Sequence, residues 1–130
     1  MWDVTTPYSF LAATSTGNVV CFDIRQEKPI YTIAAHDSEV SGVAMTKLVP
    51  GLLATCSADK VVKIWNIANN KPNCVTTREF ADAGSLHCLG FCPDSPTMLA
   101  IGALSGGLLM WDISTNKDFR DAFNNTFQGS

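Results

Sequence analysis

Basic residues are scarce in this chain and never clustered. Nine Lys and Arg stand against 12 Asp and Glu over 130 residues, a net charge of −3, and no cluster of Lys or Arg exceeds two residues. Binding to RNA or DNA draws much of its affinity from neutralising phosphates, so this balance argues against a dedicated nucleic-acid surface. The chain also lacks an uninterrupted apolar run of about 18 residues, the length that crosses a bilayer, so no membrane span is expected. No N-terminal signal pattern is visible. The cysteines, at positions 21, 56, 74, 88 and 92, make an odd count of 5. Most lie in apolar strand-like patterns, as small buried hydrophobes do, and that usage points to a reducing compartment. In such a setting the sequon Asn124-Asn-Thr126 is a coincidence.

What the chain does have is one phrase used three times. It runs from Leu11 to Ile24, returns from Leu53 to Ile67, and again from Leu99 to Ile113. Aligned on Phe22, Trp65 and Trp111, the copies need no gap from the turn onward and sit 43 and 46 residues apart. A period of about 40–45 residues with strand-turn-strand content is the signature of a β-propeller blade. The expected fold is therefore all-β: about three four-stranded blades of a propeller whose ring is not closed, since rings take about 4–8 blades. The remaining blades of the same propeller are then expected as partners of this piece.

Within each unit the same layout recurs. The middle unit predicts strands at Val40–Met45, Leu52–Ser57, Val61–Ile67 and Cys74–Arg78. Pro50-Gly51 and Ala58-Asp-Lys60 form the turns, and Asn69-Asn-Lys-Pro72 a break. Val61, Val62 and Ile64 supply the β-branched residues that pleated sheets favour. The first unit gives Phe10–Thr14, Asn18–Ile24 and Pro29–Ala34; the third gives Leu86–Cys92, Thr97–Gly102 and Gly107–Ile113. The division expected is an incomplete blade over 1–35, a complete one over 36–80, a last one over 81–116 and a polar tail over 117–130. In the tail, Phe119, Phe123 and Phe127 recur at helical spacing and suit a short helix packed back on the blade. Trp2 falls in register with Met45 and Phe91, so it belongs to a first strand rather than to a blade-closing Trp-Asp pair.

Four polar residues of the middle unit carry a physical mechanism: His36, Ser57, Asp59 and Trp65. An indole N–H only donates, a hydroxyl passes a bond on, an imidazole both donates and accepts, and a carboxylate only accepts. A chain from Trp65 through Ser57 and His36 to Asp59 satisfies every member, as a buried polar network must. Thr55, on the same face of its strand as Ser57, is the alternative hydroxyl.

The unit His36 … Ser57-Ala-Asp59 … Ile64-Trp65-Asn66 resembles the WD40 repeat, whose pattern is Gly-His, then Ser-x-Asp, then Trp-Asp. Ala35 stands where the family has Gly, and Asn66 where it has Asp. The first unit has Thr16 and Phe22 at the family's Asp and Trp positions; the third has Ser105 and Asp82 at the Asp and His positions. The neighbouring blades are accordingly expected to be held mainly by apolar packing. The runs Lys28–Gly42 and Ala54–Trp65, with Trp111-Asp-Ile-Ser-Thr115 and Ala122-Phe123, are similar to the C-terminal blades of the periodic tryptophan protein 1 family. That resemblance implies a nuclear and nucleolar factor linked to ribosome biogenesis (rRNA processing) and chromatin.

Competing chemistries fit poorly. Ser57, His36 and Asp59 do not make a hydrolase triad, because no Gly-x-Ser-x-Gly elbow is present and a triad is a geometry rather than a set of residue types. His87-Cys88 and Cys92 invite zinc, yet four residues of strand span about 13 Å and zinc needs its sulfurs within about 2.3 Å. Gly102–Gly107 lacks the Lys-Ser/Thr of a phosphate loop and reads as a hairpin turn. No catalytic residue, cofactor or metal is therefore expected. The charged loop residues Asp37, Glu39, Lys60, Arg78, Glu79 and Asp82 gather near one end of the blades and are the candidate partner-binding positions. The reading is a non-catalytic protein-interaction scaffold. The alternatives are a WD40 adaptor of chromatin or ubiquitin-ligase complexes, and an RNA-binding propeller.

Overall fold

The computed structural model describes residues 8–46, 48–68, 71–92, 94–95, 97–104 and 107–123. The expectations for Trp2, Ser105, Phe127 and the Asn124–Thr126 sequon lie outside them. The described residues form three antiparallel sheets that follow one another along the chain. The first comprises β1 (Ser9–Ala13), β2 (Asn18–Asp23) and β3 (Tyr31–Ala34). The middle sheet comprises β4 (Val40–Met45), β5 (Leu52–Ser57), β6 (Val61–Asn66) and β7 (Asn73–Glu79). The third comprises β8 (Leu86–Phe91), β9 (Met98–Ala103) and β10 (Leu108–Asp112). A single 3-10 turn at Ile113–Thr115 leads into helix α1 (Lys117–Ala122). Each sheet runs in chain order from one edge to the other, and no closed ring is formed among the described residues. This is the architecture of propeller blades.

The middle sheet lies between the other two, and its second strand shows why all six of its residues are buried. Successive side chains of a strand point to opposite faces. Leu52, Ala54 and Cys56 pack with Leu86, Leu99, Ile101 and Trp111 of the third sheet. Leu53 turns the other way, joining Trp65 and Ile67 against Leu11, Val19, Cys21 and Ile33 of the first. A strand covered on both faces reads as a continuous apolar run, and Leu52-Leu-Ala-Thr-Cys-Ser57 nearly does. Each fully buried Leu or Ile contributes about 2 kcal/mol of transfer free energy, so the two inter-sheet layers hold the blades together.

Register makes the internal repeat concrete. Leu53 lies opposite Trp65, Leu99 opposite Trp111, and Phe10 opposite Phe22. Phe10 therefore takes the position of Leu53, and Leu11 takes that of Ala54, facing the middle sheet. A one-residue shift of this kind moves a side chain to the opposite face. Bulges recur at matching places as well, between Val40 and Gly42 in β4 and between Leu86 and Cys88 in β8. Ser41, at the first bulge, donates its hydroxyl to the carbonyl of Leu86 and links the middle sheet to the third.

Among the described residues, the third sheet has three strands, and the chain passes from β10 into α1. The Asn116 carboxamide oxygen accepts from the Phe119 amide at 3.0 Å, capping α1. Its Nδ2 donates to Thr76 Oγ1 at 3.1 Å and ties the helix to β7. The Phe119 and Phe123 rings lie tilted against each other with centroids 5.1 Å apart, and both enter the core between the middle and third sheets. The expectation that most of the cysteines are buried needs correcting. Cys21 and Cys56 are buried, but Cys74 and Cys88 are exposed and Cys92 is only half-buried, because β7 is an outer strand and Cys88 sits beside a bulge, opposite Gly102.

Candidate functional site

The loop that carries His36 is fixed from behind by a glycine. The amides of Ala35 and His36 both donate to the carbonyl of Gly17, at 3.0 and 2.9 Å. Gly17 has φ +94°, and a Cβ there would lie 2.1 Å from the His36 carbonyl oxygen. Only a residue without a side chain allows the first blade to approach this closely.

His36 is thereby held with its side chain fully buried. Its Nε2 lies 2.8 Å from Thr55 Oγ1 and its Nδ1 3.1 Å from Asp59 Oδ2. Trp65 Nε1 donates to the same Thr55 oxygen at 3.1 Å. A carboxylate cannot donate, so Nδ1 carries the proton toward Asp59 and Nε2 accepts from the Thr55 hydroxyl. The relay thus runs Trp65, Thr55, His36, Asp59, from the buried indole to a carboxylate at the partly exposed turn. Asp59 Oδ1 accepts from the Val61 amide at 3.0 Å and closes the hairpin. Burial holds the His36 imidazole below its ordinary pKa, against the opposing pull of Asp59. The ring is consequently neutral at pH 7.

Ser57 does not belong to this relay, which corrects the first-choice hydroxyl of the sequence reading. Its Oγ donates to the Glu39 carbonyl at 2.7 Å and accepts from the Asp59 amide at 3.2 Å. It stands one pair of residues further along β5, nearer the turn, where the loop backbone reaches it before the imidazole does. Both ring nitrogens of His36 are occupied by Thr55 and Asp59, so a serine nucleophile has no base. The first blade has Ala12 at the Thr55 position and the third has Ile101, which is fully buried. Neither of these residues supplies a hydroxyl to such a relay.

A second repeated device sits just after the aromatic residue of each blade. Asp23 Oδ1 accepts from the Arg25 amide at 2.9 Å, Asn66 Oδ1 from the Ala68 amide at 3.0 Å, and Asp112 Oδ1 from the Ser114 amide at 3.0 Å. Each is an Asx turn, which needs an acceptor oxygen and no charge. Asn66 therefore serves as well as Asp. Arg25 also clasps Asp23, holding that carboxyl at about 2, and Ser114 lowers Asp112 in the same way.

The candidate partner residues Asp37, Glu39, Lys60, Arg78, Glu79 and Asp82 are all exposed. The backbone draws them to one end of the middle blade. Ala58 donates to the Glu39 carbonyl at 3.2 Å, Phe80 to that of Lys60 at 2.8 Å, and Ala83 to that of Phe80 at 3.0 Å. Lys60 holds φ +70° at the place where the first blade has Gly17, so the turn geometry is kept at the expense of local strain. Arg78 lies over two rings, 4.7 Å from the centroid of Phe80 and 5.4 Å from that of Trp111. These rings meet edge to face, centroids 6.4 Å apart. Sequence reasoning missed Phe80 and Leu109, which with Ala81, Asp82 and Ala83 line a groove of about 310 Å³ at this end. The only signal was an apolar Leu109 two residues before Trp111, where the middle blade has Lys63.

Blades in sequence order, a turn carboxylate, and an indole bonded through a hydroxyl to a histidine define a WD40-repeat protein. Residues 27–66 match the family model described as WD domain, G-beta repeat. The chain is a WD40-repeat chain with the architecture of a propeller fragment. It is similar to periodic tryptophan protein 1 of Saccharomyces cerevisiae, at 34% identity over 130 residues, covering 91% of this chain and 22% of that protein. An uncharacterized WD repeat-containing protein of Schizosaccharomyces pombe is 34% identical over 125 residues, covering 94% and 24%. The periodic tryptophan protein 1 homolog of Drosophila melanogaster is 31% identical over 103 residues, covering 78% and 22%. The chain thus spans about a fifth to a quarter of the length of these curated relatives.

Proposed function

We propose that the protein is a non-catalytic interaction scaffold that acts in the nucleus, chiefly the nucleolus, on pre-ribosomal assembly and rRNA processing. The observation that carries the scaffold reading is the charged end of the middle blade. There, exposed Asp37, Glu39, Lys60 and Asp82 stand on loops, and Arg78 at the end of β7, with backbones bonded to one another and to the relay beneath. Such loops are held rigid before a partner arrives, which lowers the ordering cost of binding. The titratable groups that resemble a catalytic set are consumed by the fold, with His36 neutral and bonded at both nitrogens. The pathway is supported by resemblance to the periodic tryptophan protein 1 family.

Affinity purification of the full-length protein from cells, followed by mass spectrometry, tests this reading. Ribosomal assembly factors should dominate the prey and should be lost with the double charge reversal Asp37→Lys and Glu39→Lys. Chromatin or ubiquitin-ligase subunits in their place would overturn the pathway. Tight, salt-dependent RNA binding by the purified protein would overturn the protein-partner reading.

A further inference from the structure

The middle and third blades hold their entry loops by different means. In the middle blade His36 anchors the loop before β4 through Thr55 and Asp59. In the third blade Ile101 stands at the Thr55 position, fully buried, and Asp82, at the His36 position, is exposed. The loop before β8, residues 80–85, therefore has no such relay beneath it. Backbone bonds tie its two ends, Phe80 donating to the Lys60 carbonyl and Leu104 to that of Ser85, each at 2.8 Å. Between them the 3-10 turn Ala81–Ala83 has no side-chain cap. What the third blade does have is a cation placed across the blade boundary. Arg78 of β7 lies over Phe80, the first residue of the loop, and over Trp111 of β10. Phe80 meets Trp111 edge to face, and Trp111 shares the core with Ala83 of the same loop. In the middle blade Lys63, two residues before Trp65 on one strand, stands 6.0 Å from the centroid of that ring. The third blade has Leu109 at that place, so the cation over its tryptophan comes from the preceding blade. The contact lies on the face of β10 turned to the middle blade, not on its outer edge.

We infer that Arg78 is a positioning residue, which fixes the 80–85 loop of the third blade through Phe80 and Trp111 and so presents Asp82 to a partner protein. A guanidinium over an aromatic face is attracted by the ring quadrupole, and two rings at one place hold it from two sides. Arg78 thus does for this loop what the relay does for the loop of the middle blade. Drawn onto the rings, it is occupied within the fold. The contact falls to Asp82, which has no ion pair among the described residues and meets a Lys or Arg of the partner. This inference rests on the scaffold reading and says how one of its contact residues is held.

The test uses the full-length protein and two readouts: amide exchange across residues 80–85, and retrieval of ribosomal assembly factors by affinity purification. Arg78→Ala should speed exchange in this loop about fivefold or more, as loss of a cation from partly desolvated rings implies, and leave residues 35–39 unchanged. Retrieval should fall about threefold, the size of one exposed ion pair. In an Asp82→Ala background Arg78→Ala should bring no further fall, because it acts through that residue. Adding Leu109→Lys to Arg78→Ala returns a cation to Trp111 from the place Lys63 uses, and should restore both readouts. Unchanged exchange in Arg78→Ala, additive losses in the double variant, or no rescue by Leu109→Lys would each overturn the inference. The exchange readout needs no partner. Failure of the scaffold reading shows in retrieval by the parent protein, and failure of this inference in the exchange and the missing rescue.

Discussion

Replacing Thr55 by Val changes one atom of consequence. The two side chains have nearly the same shape, and Val suits a strand at least as well, so no cavity opens at a fully buried site. What is lost is the oxygen that accepts from Trp65 Nε1 at 3.1 Å and serves His36 Nε2 at 2.8 Å. Two polar groups are then stranded in a dry interior, at a cost of about 1–3 kcal/mol for each group left unpaired. His36 cannot escape by moving its proton to Nε2, because Nδ1 would then face the Asp59 carboxylate without a hydrogen. We expect a loss of about 2–4 kcal/mol, read as a fall of about 10 °C in Tm for a chain of this size. Ser57→Ala removes bonds to the Glu39 carbonyl and the Asp59 amide, at the turn rather than in the relay, and should cost about 1 kcal/mol. Thermal melts separate the two variants by size. The indole N–H resonance of Trp65 separates them by kind, since it should shift with Thr55→Val and stay in place with Ser57→Ala. The reverse pattern, with Ser57→Ala moving the indole signal and Thr55→Val melting with the parent, would refute the relay as drawn.

Other consequences are as direct. Burial lowers the His36 pKa in the folded state, so between that value and about 6.5 the unfolded chain binds more protons. Stability therefore rises with pH through this window and falls as pH drops below about 6.5. Asp23 and Asp112, also depressed, lose their contributions only lower, as pH falls through the carboxylate range below about 4. Chemical denaturation between pH 7 and 5 should thus show a decline that His36→Gln abolishes; an unchanged slope in that variant would remove the assignment. Gly17→Ala places a methyl 2.1 Å from the His36 carbonyl in left-handed backbone. Strain and overlap together should cost about 3 kcal/mol or more, and a variant melting within about 1 kcal/mol of the parent contradicts the close approach. Burial, only partly offset by Ser41, pushes the Cys56 thiol up to about 11. At pH 8, iodoacetamide should label exposed Cys74 and Cys88 and leave Cys56 unmodified until the chain unfolds. Mass mapping of the adducts decides this.

The fold was legible because the repeat is written at two levels, in the turns and in the aromatic that follows them. The strands of the middle unit came within a residue or two of their observed ends because β-branched residues and turn formers agree there. Words misled where physics had the choice. The phrase Leu-Ala suggests Leu11 as the counterpart of Leu53, yet the hairpin pairs Phe10 with Phe22. Turn length fixes register, so Leu11 falls on the face that Ala54 uses, and Phe10 takes the aromatic side. The same parity made Thr55 and Ser57 indistinguishable in sequence, since both point toward the first sheet. What separates them is depth along β5: Ser57 meets the Glu39 carbonyl of the incoming loop, while Thr55 lies level with the indole and the imidazole. No property of either residue in isolation encodes that depth. It arises because Gly17, in a neighbouring blade, lets the His36 loop descend far enough to pass Ser57. The middle blade's relay is therefore set partly from outside the repeat that carries it, and a single repeat read alone would assign the wrong hydroxyl.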